Sequence, residues 1–449
     1  MSLCLCTAPP AQARAGHRPV TPIKHMVALF QENHTFDNYF GTRPGVDGIP
    51  AGTCMPVKEG TKRPCVKPFW IGGRAVDSLE HTKEQFYREF DNGKMDGFVQ
   101  ANSDFGRNGS LAMGYYDARD LPYYWNVADN YVLFDHWFSS VRAGSVANHV
   151  FAVSARPGVS PRSPNVVPKR GYGDLPTIFD RLEAAGVSWK FYVQNYDPGI
   201  NYRTIEQTPE DRAAQVFWVP LLGMNRFIDN PRLARHIVDL SQFYRDAQRG
   251  TLPAVSYVVP SGDSEHPPGR LQAGERLVRS MVDELARSPE WSSSAFLWTY
   301  DDWGGWWDHV PPPRVDRWGY GMRVPTLLVS PYARKDFVDH RTSDFASILR
   351  FIEVNWNLPP LASRDRHAYD LMGSFDFKRP PRAPQVLPTT RPRPAGPPPR
   401  TLPVYLAYAV GLGLTFALTG FAVLRLRRVG PHPEALGRSR HTPRTEAGR

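Results

Sequence analysis

Apolar positions in this chain gather in short, nearly unbroken runs. HMVALF (25–30), VSWKFYV (187–193), PAVSYVV (253–259), AFLWTY (295–300) and VPTLLVS (324–330) are rich in β-branched and aromatic residues, the pattern of strands buried on both faces. Between and after them, TIFDRLEAAG ending at Gly186, GERLVRSMVDELARSP (274–289) and DFASILRFIEVNW (344–356) space their apolar residues as amphipathic helices do. Strand and helix alternate, which predicts an α/β fold with a central, mainly parallel sheet covered on both faces. No internal repeat is visible.

A second pattern lies at the C-terminus. Residues 402–424, LPVYLAYAVGLGLTFALTGFAVL, run without a charge for about 23 positions, roughly 34 Å as a helix, which matches a bilayer core. The run predicts one transmembrane helix. Arg425, Arg427 and Arg428 follow it directly, so the positive-inside rule puts a basic tail, 425–449, in the cytoplasm and the large domain outside the cell membrane. Residues 378–401 are dominated by Pro and Arg and read as an extended stalk. Residues 1–24 carry small residues around Ala11–Ala15 without an apolar stretch before them, the remnant of an export signal with an earlier true start. Cys54 and Cys65 then remain as an even pair, 11 apart in a Gly- and Pro-rich loop. In an oxidising compartment they predict one local disulfide.

The formal charge of +10 suggests nucleic acid until its distribution is counted. From Lys378 onward there are 13 Lys and Arg against two Glu, or 13 − 2 = +11, so residues 1–377 sum to 10 − 11 = −1. A nearly neutral folded part has no footprint for a phosphate backbone, and no nucleic-acid partner is expected.

Candidate chemistry sits where predicted strands end, the place at which α/β sheets gather their sites. HMVALF runs into Gln31-Glu32-Asn33, AFLWTY into Asp301-Asp302-Trp303-Gly304-Gly305, and PAVSYVV into a cluster with Glu265-His266-Pro267-Pro268. Three carboxylates and an amide oxygen facing one point repel unless a cation intervenes, so a hard divalent ion is the economical explanation. Oxygen ligands favour Mg, Mn or Ca, and a nearby histidine leaves Zn or Fe open. Ser145, after Gly144 and before an apolar helical segment, is the candidate nucleophile, although the G-x-S-x-G pattern is absent. His81 and His266 complete the inventory. Trp303, Trp306 and Trp307 read as core, with cation–π binding of a quaternary ammonium group as the other use.

QENHTFDNYFGT, HTKEQFYREFDNGKMDGFV, RAGSVANHVFAVSA, SEHPP, TYDDWGGWWDHVPPP and YGMRVPTLLVSPYAR resemble, in this order, the blocks of the bacterial phosphoesterase family of non-haemolytic phospholipases C and acid phosphatases. The resemblance spans residues 25–377. It implies an alkaline-phosphatase-like three-layer α/β sandwich and a metal-dependent hydrolase of phosphoric esters acting through a covalent phosphoryl-serine. By the same resemblance, Glu32, Asn33, Asp301 and Asp302 bind the metal, Ser145 attacks phosphorus, and His81 and His266 contact the phosphoryl group or protonate the leaving oxygen. Asn148 and His149 would contact substrate. The chain departs from the family where Asp302-Trp303 replaces Glu-His and where Ala147-Asn148-His149 replaces Pro-Asn-Arg. Phospholipase C action on lipid, phosphomonoesterase action, and an inactive surface binding protein remain the three readings. The loop 106–124, with Leu111, Met113, Tyr115 and Tyr116, is the expected rim of the site.

Overall fold

A computed structural model of the chain describes residues 17–158, 165–391, 410, 412–421 and 424. Eight strands, β1 (His25–Gln31), β2 (Val132–Phe134), β3 (Trp189–Val193), β4 (Ile237–Asp239), β5 (Val255–Val259), β6 (Ser294–Tyr300), β7 (Thr326–Val329) and β8 (Phe337–Asp339), form one sheet in the order β8-β2-β7-β6-β1-β5-β3-β4. β1 pairs in parallel with both β5 and β6, and β3 likewise with β5 and β4. β7 runs antiparallel to β6 and β2. The sheet is therefore mixed, with parallel pairs in the majority. The 301–325 connection contains no helix, and a return without a helical crossover brings the next strand back antiparallel.

The helices that matter for the site are α1 (Phe36–Phe40), α2 (Lys83–Phe90), α3 (Pro122–Asn130), α4 (Ser145–Ser154), α5 (Glu210–Trp218), α6 (Leu271–Arg287) and α7 (Phe345–Asn355). Successive strand residues face opposite sides, and the ring contacts show what each side meets. Phe30 packs on His149 of α4 and Phe345 of α7, with ring centroids 6.1 and 5.5 Å apart. Trp298, the register partner of Leu29, packs on Tyr124 of α3 at 5.4 Å. On that same side Glu275 of α6 accepts the backbone N–H of Tyr123 at 2.8 Å. The sheet is the middle of three layers, and its central strand β1 is buried from Met26 to Gln31.

A buried guanidinium fixes the loop that follows β6. Arg323 is fully enclosed and donates to Asp308 Oδ1 at 2.8 Å, to Asp37 Oδ1 at 3.1 Å, and to the carbonyls of Asp47 and Asp135 at 2.8 Å each. Asp37 lies on α1 and Asp308 on the 301–325 connection, so one side chain ties together the segments leaving β1 and β6. The expected disulfide is formed between Cys54 and Cys65, with Cα atoms 5.5 Å apart.

The C-terminal expectation needs correction. Among the described residues no helix is long and apolar enough to cross a membrane. The transmembrane helix and the single-pass placement of the domain outside the cell are therefore not supported. Residues 1–16, 159–164, 392–409, 411, 422–423 and 425–449 lie outside the described residues, and with them residues 392–401 of the expected stalk. By contact the chain divides into two units, 1–391 and 392–449. Within the first, residues 378–391 lie along the domain: Leu387 is buried, Trp291 donates to the carbonyl of Arg382 at 2.9 Å, and Asn126 donates to that of Pro388 at 2.7 Å.

Removing Arg323 leaves the buried Asp308 without its ion pair and Asp37 with His309 as its one remaining partner of that kind. Arg323→Met is expected to lower the unfolding free energy by about 3–5 kcal/mol in urea titrations, whereas a loss below about 1 kcal/mol would show that Asp37 and Asp308 do not depend on it.

Candidate active site

Parallel pairing sets the floor of the site. Gln31 of β1 is in register with Tyr300 of β6, so the chains leave the sheet side by side at Glu32 and Asp301. Asn33 then turns into the left-handed region (φ 62°), and its N–H donates to Asp301 Oδ1 at 3.0 Å. Gly304 is required beside it: its φ is +60°, and a Cβ there would stand 2.5 Å from both Asn33 Cβ and the Asn33 carbonyl oxygen. Asp302 accepts the Gly304 N–H on Oδ1 at 2.8 Å and the hydroxyl of Ser145 on Oδ2 at 3.1 Å.

Ser145 is the first residue of α4, with Gly144 as its extended N-cap. The positive end of a helix dipole therefore lies at the hydroxyl. Two amides fix the approach. Asn148 accepts the N–H groups of Ser140 and Val141 at 3.0 and 3.1 Å and donates to the Ala143 carbonyl at 2.8 Å. Asn165 accepts the N–H of Val146 at 2.9 Å.

Ser145 opens into a cleft of about 890 Å³ whose wall includes Glu32, His81 and His266. The two imidazoles stand with ring centroids 5.8 Å apart. His81 donates from Nδ1 to the Leu79 carbonyl at 3.0 Å, and its Nε2 faces Asn33 Nδ2 at 3.3 Å. Since Nδ2 is a donor, His81 Nε2 accepts, which defines the neutral tautomer. Desolvation in the cleft wall and then the neighbouring His266 hold the His81 pKa below its usual value. His266 donates from Nδ1 to the Pro267 carbonyl at 2.6 Å, so its Nδ1 carries a proton.

The carboxylates are under strain as they stand. Burial, then the charges of Asp301 and Asp302, push the Glu32 pKa well up. Burial and then Asp301 do the same to Asp302. Glu32 Oε2, Asn33 Oδ1 and Asp301 Oδ2 are buried with no hydrogen-bond partner among the described residues. His149 Nε2 is 2.8 Å from Glu32 Oε1 and 3.7 Å from Asp301 Oδ2, and burial holds its pKa down at about 4. One ligand atom each from Glu32, His149 and Asp301 lies within 4.8 Å of the others. Three orphaned oxygens beside a neutral imidazole form a group able to hold a metal ion, and its donor chemistry fits one.

Of the residues singled out from sequence, Glu32, Asn33, Asp301, Asp302, Ser145, His81 and His266 come together in one place. Asn148 and His149 do not line the cleft. Asn148 uses its amide on the loop before the serine, and His149 faces the carboxylates from behind. No residue of the 106–124 loop lines the cleft, and Met113 and Tyr116 are buried; Asn165, Asn195, Asp197, Arg212, Phe217 and Trp218 line it instead. These residues carry no motif that sequence reading recognises. Trp303, Trp306 and Trp307 are core.

The sequence model of the Phosphoesterase family matches residues 23–359. The chain belongs to this family and is a phosphoric ester hydrolase. Phospholipase C B of Mycobacterium tuberculosis is 28% identical over 82% of this chain and 80% of its own length. Non-hemolytic phospholipase C of Pseudomonas aeruginosa is 26% identical over 83% and 59%, and non-specific phospholipase C6 of Arabidopsis thaliana 28% over 73% and 65%. A solved protein of the alkaline phosphatase superfamily from Vibrio parahaemolyticus overlaps 81% of this chain and 74% of its own at 11% identity and a TM-score of 0.39, a likeness too low to bear on function.

Two substitutions separate the metal group from the serine. Gly304→Ala should displace Asn33 and weaken Mn²⁺ binding at least about 10-fold in equilibrium dialysis. Asn148→Ala should leave that binding unchanged and lower turnover of an aryl phosphate ester by about 10²-fold, because only the serine loop moves.

Proposed function

We propose that this chain is a phospholipase C-type hydrolase that forms a covalent phosphoryl-serine at Ser145 and releases a phosphorylated head group from its ester. The observation that carries the reading is a cleft lined by Ser145, Glu32 and two histidines, with the Ser145 hydroxyl on Asp302 and three orphaned oxygens, of Glu32, Asn33 and Asp301, at the same two strand ends. Glu32, Asn33, Asp301 and Asp302 would hold a divalent ion, with His149 close enough to widen the choice from Mg, Mn or Ca to Zn or Fe. When bound, that ion supplies the positive charge that favours serine ionisation and offsets the charge of the phosphoryl oxygens.

The chain's own groups account for the rest. Asp302 accepts the Ser145 proton, and Oγ attacks phosphorus as the bond to the leaving oxygen breaks. His266 lines the cleft, and in its imidazolium form, with Nδ1–H held by the Pro267 carbonyl, it gives the Nε2 proton to the leaving oxygen. His81 stands across from it with Nε2 toward Asn33 and lines the space for the phosphoryl group. Water then attacks phosphorus and gives a proton back to His266, the bond to Oγ breaks, and Asp302 returns the proton to the serine. The α4 N-terminus adds a fixed positive field at the position where negative charge grows.

Phosphomonoester hydrolysis is the second reading, and the polar part of the cleft lining, Asn165, Asn195, Asp197 and Arg212 beside the apolar Ile200, Phe217, Trp218 and Pro268, favours it. Short-chain phosphatidylcholine and 4-nitrophenyl phosphate, offered to the full chain, decide between them. Release of diacylglycerol supports the phospholipase reading; efficient release of 4-nitrophenol with no diacylglycerol at any detergent ratio gives the monoesterase. In either case Ser145→Ala should cut turnover by at least about 10³-fold with folding intact, and retention of a large share of the rate would remove the serine from its role.

A further inference from the structure

Glu265 precedes His266, and the reaction outlined above leaves it without a role. It is buried, its backbone occupies the left-handed region (φ 66°), and a non-glycine residue holds that conformation only when its surroundings enforce it. The enforcement is visible. Tyr39 and Tyr300 donate their hydroxyls to Glu265 Oε2 at 2.5 and 2.8 Å, and Tyr124 donates to Oε1 at 2.6 Å. These tyrosines come from α1, from β6 and from α3, three separate parts of the fold. His34 Nε2 faces the Glu265 carbonyl at 3.2 Å. Gly274, inside α6, leaves the space the side chain occupies: a Cβ there would collide with Glu265 Cγ and Oε1. A glycine in a helix interior costs stability, so this one is explained by the carboxylate it accommodates.

We propose that Glu265 is the positioning residue of His266: its carboxylate, held by three tyrosine hydroxyls, locks the turn that aims the imidazole into the cleft. The inference rests on the reading of His266 as proton donor to the leaving oxygen. An acid held in place matters most when the leaving group is poor and little when it is good, so a positioning role has a signature that general loosening of the fold lacks.

The test is the rate of the full chain on aryl phosphate esters whose leaving groups run from 4-nitrophenol to phenol. His266→Ala should lose about 10²-fold more rate on the phenyl ester than on the 4-nitrophenyl ester. Glu265→Gln, which keeps the shape and removes the charge, should show the same selectivity with unchanged Mn²⁺ binding. Tyr124→Phe, which removes one hydroxyl, should show a smaller loss in the same direction. Should Glu265→Gln not fold, Tyr124→Phe and Gly274→Ala carry the comparison. If Glu265→Gln slows all esters equally, or none, while His266→Ala is selective, the positioning role is overturned and the function stands. If His266→Ala is itself unselective, its acid role in the proposed function fails and this inference fails with it.

Discussion

The parallel register of β1 on β6 is the constraint on which the site depends. It makes Gln31 and Tyr300 partners, so the next residue of each chain, Glu32 and Asp301, leaves the sheet beside the other. Neighbouring strands lie about 4.8 Å apart, and two carboxylates at that distance repel by on the order of 3 kcal/mol at an effective dielectric constant near 20. Asp302 follows and adds a third. The remaining features of the site answer that repulsion: the left-handed Asn33 with an N–H on Asp301, the glycine it requires at 304, the Ser145 hydroxyl on Asp302, and the neutral His149 against Glu32. Three oxygens are still unanswered, and a cation would satisfy them together.

Legibility followed burial and length. The five strands read from sequence are those of the sheet's middle and the antiparallel return, because a strand covered on both faces writes an unbroken apolar run. β2, β4 and β8 span three residues each, too few to carry a pattern, and they were missed. The direction of β7 was not legible, since it depends on a connection without a helix. The 402–424 run fitted a bilayer by length and hydropathy alone, and among the described residues no helix is long and apolar enough to cross one.

At the site, groups on strand ends were legible because their polarity breaks an apolar run. His149 was assigned to substrate by its place in a motif, yet helical spacing from Ser145 turns it inward to the carboxylates. Glu265 lay in plain view in the SEHPP block, but the significance of a lone glutamate depends on Tyr39, Tyr124 and Tyr300, each distant in sequence. The part of the cleft lining between residues 195 and 218 has no signature short of the fold itself.

The central claim is that the strand-end oxygens are assembled to hold one divalent ion. Elemental analysis of the purified full chain, before and after chelation and dialysis, tests it most directly when paired with turnover of an aryl phosphate ester. The account predicts one divalent ion per chain, loss of turnover on its removal, and recovery of both on adding a divalent metal back. Full turnover by a chain free of metal would contradict it.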